Sequence, residues 1–262
     1  MTRFSTLVLP FVISSLAGAP AFADGSKPSL SQQLANPIAN LTSVPIQYNV
    51  LFGAGPDKKG TISVVDIQPV IPIRLNEDWN LITRTILPLA ATNNLSDLAD
   101  ARGLGDTQAS LFLSPEKTGP GGLIWGVGTV INLPTATDPL LGTGKWGAGP
   151  TAVALVQNET WTVGALANQL WTFDSDEINK SFVQPWVTYD VKNGWSISAT
   201  SQSSYDWNSG EWTVPINVGI AKLFDVGKQP VQFQVGGAYR LAGPADAPLW
   251  GLQSTLTFLF PK

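Results

Sequence analysis

The chain is 262 residues long, with 15 basic and 19 acidic side chains, no histidine and no cysteine. So mildly acidic a chain has no basic surface with which to neutralise phosphates, which makes nucleic acid a poor partner. Without imidazole, every histidine-dependent base or metal ligand is excluded; without thiols there are no disulfide staples, and no cofactor or metal is expected.

In chain order, Arg3 precedes an apolar run from Leu7 to Leu16, and Ala21-Phe22-Ala23 comes next as a small-x-small cleavage pattern. Residues 1–23 therefore read as a secretory signal peptide; Pro10 and Pro20 break the run, which is shorter than the roughly 20 residues of a membrane-spanning helix. Residues 24–43 form an N-terminal segment in which Ser29 or Ser31 can cap a short helix carrying Leu30 and Leu34, with Asn36-Pro37 starting a second turn. Two readings stand for it: a periplasmic tether, or a plug folded into the strands downstream.

Beyond it, residues 44–262 contain no run of 18 apolar residues, so helical spans are absent. The chain instead offers about twelve segments in which apolar and small or polar residues alternate, near 44–52, 61–75, 79–89, 103–114, 122–133, 146–156, 161–173, 182–191, 195–204, 212–224, 230–240 and 249–260. In the second of these, Val65, Ile67, Pro69, Ile71, Ile73 and Leu75 point one way, and Asp66, Gln68, Val70, Pro72 and Arg74 the other. After Asn76-Glu77-Asp78, the next strand puts Arg84 on its less apolar face. Leu123, Trp125, Val127, Thr129, Ile131 and Leu133 repeat the pattern.

Alternation suits two all-β folds: a soluble sandwich with apolar side chains inward, or an antiparallel transmembrane barrel with them facing lipid. Three features favour the barrel. Connections after even strands, such as 76–78, 157–160, 192–194 and 225–229, are mostly tight, whereas those at 90–102, 134–145, 174–181 and 241–248 are longer; 115–121 is an exception. Trp79, Trp161 and Trp195 open strands after short turns, and Trp171, Trp186, Trp212 and Trp250 lie near the other ends, as two interface girdles would. The last strand alternates through Trp250, Leu252, Leu256, Phe258 and Phe260, similar to the terminal aromatic signal read by the barrel assembly machinery, although Pro261 and Lys262 come after it. The expected membrane-interface set is thus Trp79, Trp161, Trp195, Trp212, Trp250 and Phe260.

The expected lumen-lining set is Asp66, Arg74, Arg84, Asp106, Gln184, Asn217, Gln232, Gln234 and Arg240. Its charges either pair across the lumen, since unpaired buried charge is costly, or leave Arg74, Arg84 and Arg240 as a basic constriction that selects anions. Gly103-Leu104-Gly105-Asp106 lacks the adjoining helix that a nucleotide-binding turn requires and reads as the start of a strand. The Gly- and Thr-rich stretch 134–150 suits an outer loop folding over or into the mouth. Outer-membrane hydrolases use histidine beside serine or aspartate, so only a lysine or carboxylate mechanism stays open and an enzyme is not expected.

Several stretches bear a resemblance: Asn36-Pro37-Ile38-Ala39-Asn40-Leu41, Gly103-Leu104-Gly105-Asp106-Thr107, Leu133-Pro134-Thr135-Ala136-Thr137 with Gly147-Ala148-Gly149-Pro150, and Leu256-Thr257-Phe258-Leu259-Phe260-Pro261. In this order they resemble the outer-membrane family of transporters assigned to the meta-pathway of phenol degradation, some of whose members carry the label neuromedin U. The resemblance implies a barrel in the bacterial outer membrane with a transport role, and no established substrate or site residues. The expected function is passive passage of small molecules, with hydrophobic or aromatic cargo implied by the family name alone; the expected partners are outer-membrane lipid, the assembly machinery and small-molecule solutes. The alternatives are a secreted soluble β-sandwich that binds carbohydrate through its tryptophans, and a structural outer-membrane barrel without transport.

Overall fold

The computed structural model describes residues 29–95, 100–173 and 178–261. The expected signal peptide, and residues 24–28 after it, lie outside the described residues. A six-residue helix, α1 (Leu30–Ala35), precedes fifteen strands: β1 (Thr42–Ala54), β2 (Gly60–Ile67), β3 (Val70–Arg74), β4 (Trp79–Asn93), β5 (Arg102–Leu104), β6 (Thr107–Pro115), β7 (Leu123–Leu133) and β8 (Gly147–Gln157). β9 (Trp161–Thr172), β10 (Asn179–Val191), β11 (Trp195–Thr200), β12 (Ser203–Asp206), β13 (Glu211–Val226), β14 (Gln229–Ala242) and β15 (Trp250–Phe260) complete them.

Three pairs of these strands run end to end, so the wall has twelve staves. Proline explains two of the breaks, because it has no N–H to donate to a ladder. Pro69 separates β2 from β3, yet Ile46↔Ile67 and Ser43↔Val70 belong to one uninterrupted register. Pro185 and Pro215 flank the gap between β11 and β12; there the Ser201 N–H donates to the Pro185 carbonyl at 3.1 Å and the Ser201 hydroxyl to the Pro215 carbonyl at 2.7 Å. The third break is a true bulge, since Leu89 pairs with Leu104 but Ile86 with Gln108, which inserts one extra residue around Gly105-Asp106.

Every neighbouring pair is antiparallel, and the first and last strands meet from Thr42↔Phe260 to Phe52↔Trp250, closing the sheet. Closure leaves no edge, which is what lipid demands of a backbone it cannot hydrogen-bond. Side chains alternate as the pleat requires. Ile71, Ile73 and Leu75 lie exposed on the outside, as do Val218 and Leu252, while Asp66, Gln68 and Val70 face inward. A sandwich would have buried that apolar set between two layers; here a single closed layer presents it outward, and the soluble alternative falls.

The barrel is not hollow throughout. Ser29 caps α1, accepting from the Gln32 N–H at 3.2 Å while the Gln32 side chain accepts from the Ser29 N–H at 2.8 Å, a reciprocal box that stabilises so short a helix. The chain from Ser29 to Leu41 then runs inside the wall, at the end where the turns are tight. The Gln157 side chain donates to the Gln32 carbonyl at 2.8 Å, and the Trp186 indole N–H to the Ala35 carbonyl at 3.2 Å. Ile38 is buried with Ile82, Phe112, Val153, Leu155 and Leu166. Gly126 makes room for it: a Cβ there would sit 3.3 Å from the Ile38 Cδ1. Ala39 and Leu41 pack on Leu259, with Leu30, Leu34 and Leu223 around them.

Candidate functional site

Above this strap the staves enclose a cavity of about 790 Å³. Its chemistry derives from the inward half of each alternating strand, with amides the commonest polar side chains among apolar ones. Of the residues expected to line the lumen, Asp66, Arg84, Gln184, Asn217, Gln232, Gln234 and Arg240 do so. Two do not.

Arg74 ends β3 and lies exposed at the tight-turn end, its Nε donating to the Asn76 carbonyl at 3.1 Å within the adjoining turn. Alternation gives its direction correctly but says nothing of its height. Asp106 sits in the bulge between β5 and β6, and its carboxylate is filled by the 134–146 loop rather than facing the cavity. It accepts from the N–H groups of Ala136 (3.1 Å), Thr143 (2.8 Å) and Gly144 (3.0 Å), and from the Thr143 hydroxyl at 3.0 Å. Burial pushes this carboxyl up, but the hydrogen bonds from Ala136, Gly144, Thr143 and Asn132 outweigh it and hold Asp106 below the usual carboxylate range. The loop so held lies against the strand start, with the Thr137 hydroxyl 3.1 Å from the Leu104 N–H that donates to it.

The three arginines therefore do not converge into one constriction. Arg240 lines the cavity at the long-loop end, but its guanidinium is spent on the connection between β14 and β15. Nε donates to the Pro248 carbonyl at 2.8 Å, one terminal nitrogen to Gly243 at 2.8 Å and the other to Ala247 at 3.1 Å. Arg84, in mid-wall, is tied to Asp66 through amides. Its Nη2 donates to Gln68 (2.9 Å), Gln68 donates to Gln47 (3.3 Å), Gln47 to Asn49 (3.1 Å), and Asn49 to the Asp66 carboxylate (3.3 Å). Each amide accepts on its oxygen and donates from its nitrogen, so the relay orients the dipoles from cation to anion and satisfies both ends. Lys180, the remaining lining cation, lies 3.5 Å from Asp206.

The opposite wall differs. Phe182, Gln184 and Trp186 alternate inward along β10, with Leu166, Asn168 and Leu170 beside them on β9. Trp186, expected near an outer girdle, faces the lumen instead, because it shares the inward phase of Gln184. The same phase, legible in the sequence, identifies Phe182 and Thr188; the facing residues Asn168 and Gln202 needed the strand pairing.

Outside, Trp161, Trp195 and Phe260 lie exposed near the tight-turn end, and Trp212 and Trp250 near the long-loop end. Trp79 is half-buried, its ring 6.0 Å edge-on to Trp125. Trp250 stacks on Phe52 at 4.4 Å, Trp161 packs against Tyr189 at 4.6 Å, and the Lys222 ammonium sits 5.1 Å over Trp195.

No protein-family model matches the chain, and no curated protein matches it. Solved structures do. An outer membrane channel from Pseudomonas putida F1 is 18% identical, with a TM-score of 0.68, over 84% of this chain and 96% of that one. Outer membrane phospholipase A from Escherichia coli is 13% identical (TM-score 0.49; 84% of this chain, 90% of that one), and the CymD monoaromatic hydrocarbon channel 8% identical (0.46; 89% and 93%). At such identity the first likeness shows the fold alone, a closed antiparallel β-barrel shared with an outer-membrane protein.

Proposed function

We propose that the chain is an outer-membrane conduit, akin to the phenol meta-pathway transporters, that lets small molecules with a flat or apolar face cross passively without chemical change. The observation that carries this reading is the closed wall, apolar outside and amide-lined inside around about 790 Å³. Only a lipid setting makes both faces favourable at once. The tight-turn end then faces the periplasm, with the strap from Ser29 to Leu41 plugging that side of the lumen. Outer-membrane lipid, the assembly machinery and small-molecule solutes are the partners this implies. The paired charges of the lumen favour neutral cargo over an anion filter, and the aromatic wall of Phe182 and Trp186 favours flat cargo.

Swelling of liposomes loaded with the purified barrel tests the conduit: phenol and simple sugars are expected to enter faster than benzoate. Equal rates with and without protein would leave a purely structural barrel. Removing residues 26–40 and recording single-channel conductance tests the plug, with heat-modifiable gel mobility showing that the shortened barrel folds. Conductance is expected to rise.

A further inference from the structure

The wall formed by β9, β10 and the β11–β12 stave packs Phe182 and Trp186 against the core around Ile38, and beside them it holds amides that this packing does not use. Trp186 pairs with Gly164 across the β9–β10 ladder. A Cβ on Gly164 would lie 2.6 Å from the Trp186 Cζ2 and 2.8 Å from its Cη2, so the bare glycine lets the indole lie flat against the sheet. Its N–H is held by the Ala35 carbonyl at 3.2 Å. The ring is thus fixed at two points, and a fixed ring loses little freedom when something stacks on it.

Around this platform stand three amides. Gln184 lies two residues along the same face, Asn168 is the cross-strand neighbour of Phe182, and Gln202 falls opposite Gln184 in the ladder that pairs Trp186 with Thr200 and Val183 with Ser203. All three line the cavity, and among the described residues none of their side chains has a protein hydrogen-bond partner. The contrast with Gln47, Asn49 and Gln68, whose amides are all spoken for in the relay, is chemical rather than compositional. Among the described residues that line the cavity no charge is left uncommitted beside them: Lys180 is engaged by Asp206, and Asp190, further along the same face of β10 and without a hydrogen-bond partner, lies outside the lining.

We propose that Trp186, Phe182, Gln184, Asn168 and Gln202 form a subsite for an uncharged, flat solute that carries both a hydrogen-bond donor and an acceptor on its rim. An amide offers a donor and an acceptor together, so it matches a neutral rim in either sense but cannot compensate the lost hydration of an ion. The platform supplies area and the amides supply orientation. The subsite deepens the conduit reading, and rests on it for its place in transport.

Three isosteric probes separate the possibilities: benzamide, benzoate and benzamidinium, each bound to the full-length barrel in detergent and measured by equilibrium dialysis. Benzamide is expected to bind at least about tenfold more tightly than either ion. Gln184→Leu with Gln202→Leu is expected to remove that preference, and Gly164→Val, by tilting the indole, to weaken all three probes together. Gln184→Glu preserves shape and should turn the preference toward benzamidinium, which keeps the test alive if the leucine variant fails to fold. Either ion binding as tightly as benzamide, or the glutamate variant leaving the order unchanged, overturns the subsite. Swelling without saturable benzamide binding also overturns the subsite while sparing the conduit; binding without swelling does the reverse.

Discussion

The two walls of the lumen carry similar side chains and do different things. Along β1, β2 and β4, amides lie between Arg84 and Asp66 and are consumed in joining them. Along β9, β10 and the β11–β12 stave, amides of the same kind flank aromatic rings and stay open to the cavity. The first wall is a satisfied network whose removal costs stability; the second is a surface with unspent hydrogen-bonding capacity, where a solute gains without displacing a protein partner. Composition alone does not make a lining functional; what the neighbours leave free does.

The strap that touches both walls offers the largest perturbation. Ile38→Ala removes a side chain that is only 4% exposed, and is expected to cost about 2–4 kcal/mol, read as a lower temperature for the heat-induced mobility shift and as higher conductance. Next comes the polar wall itself. Arg84→Leu strands Asp66 at the far end of the relay and should destabilise the barrel by about 1–3 kcal/mol in urea titrations. The Arg84→Leu/Asp66→Leu double variant is expected to recover part of that loss; a simple sum of the two single effects would mean that the relay couples nothing.

A smaller effect concerns the mouth. The Asp106 carboxyl is held below its usual range, so its grip on the 134–146 loop is fully present above the ordinary aspartate value of about 4 and is lost as pH falls through the lower folded value. Proteolysis of that loop should therefore stay slow from pH 7 to about 4 and quicken only in stronger acid. Asp106→Asn, which cannot accept in the same way, should show the fast rate at every pH. Least of all, Lys222→Ala removes an ammonium over Trp195 at the outer surface and is expected to shift stability by no more than about 0.5 kcal/mol.

Particular residues show how far the chain can be read in advance. The pattern from Val65 to Leu75 places Asp66 inward and Ile71 outward, and both lie so. Arg74 has the same phase and yet escapes the lumen, because phase carries no information about depth. Asp106 escapes because one inserted residue at the bulge brings it within reach of a loop that folds back from 30 or more positions further on. Trp186 is misplaced when tryptophan is treated as an interface residue, although its phase already matches Gln184. Gln202 carries no local signal at all, since its meaning comes from Gln184 on another strand.

By itself the sequence determined the all-β character and which face of each stave is apolar, since the two-residue pleat is a local property of an extended chain. It also determined the short capped helix, whose box closes within four residues. Only the tertiary structure decided that the strap lies inside, that Arg84 finds Asp66 through three amides while Arg240 spends itself on a loop, and that Gly164 leaves the Trp186 ring flat. Those outcomes depend on the register with which twelve staves close on one another, and that register is set by contacts between residues far apart in the chain.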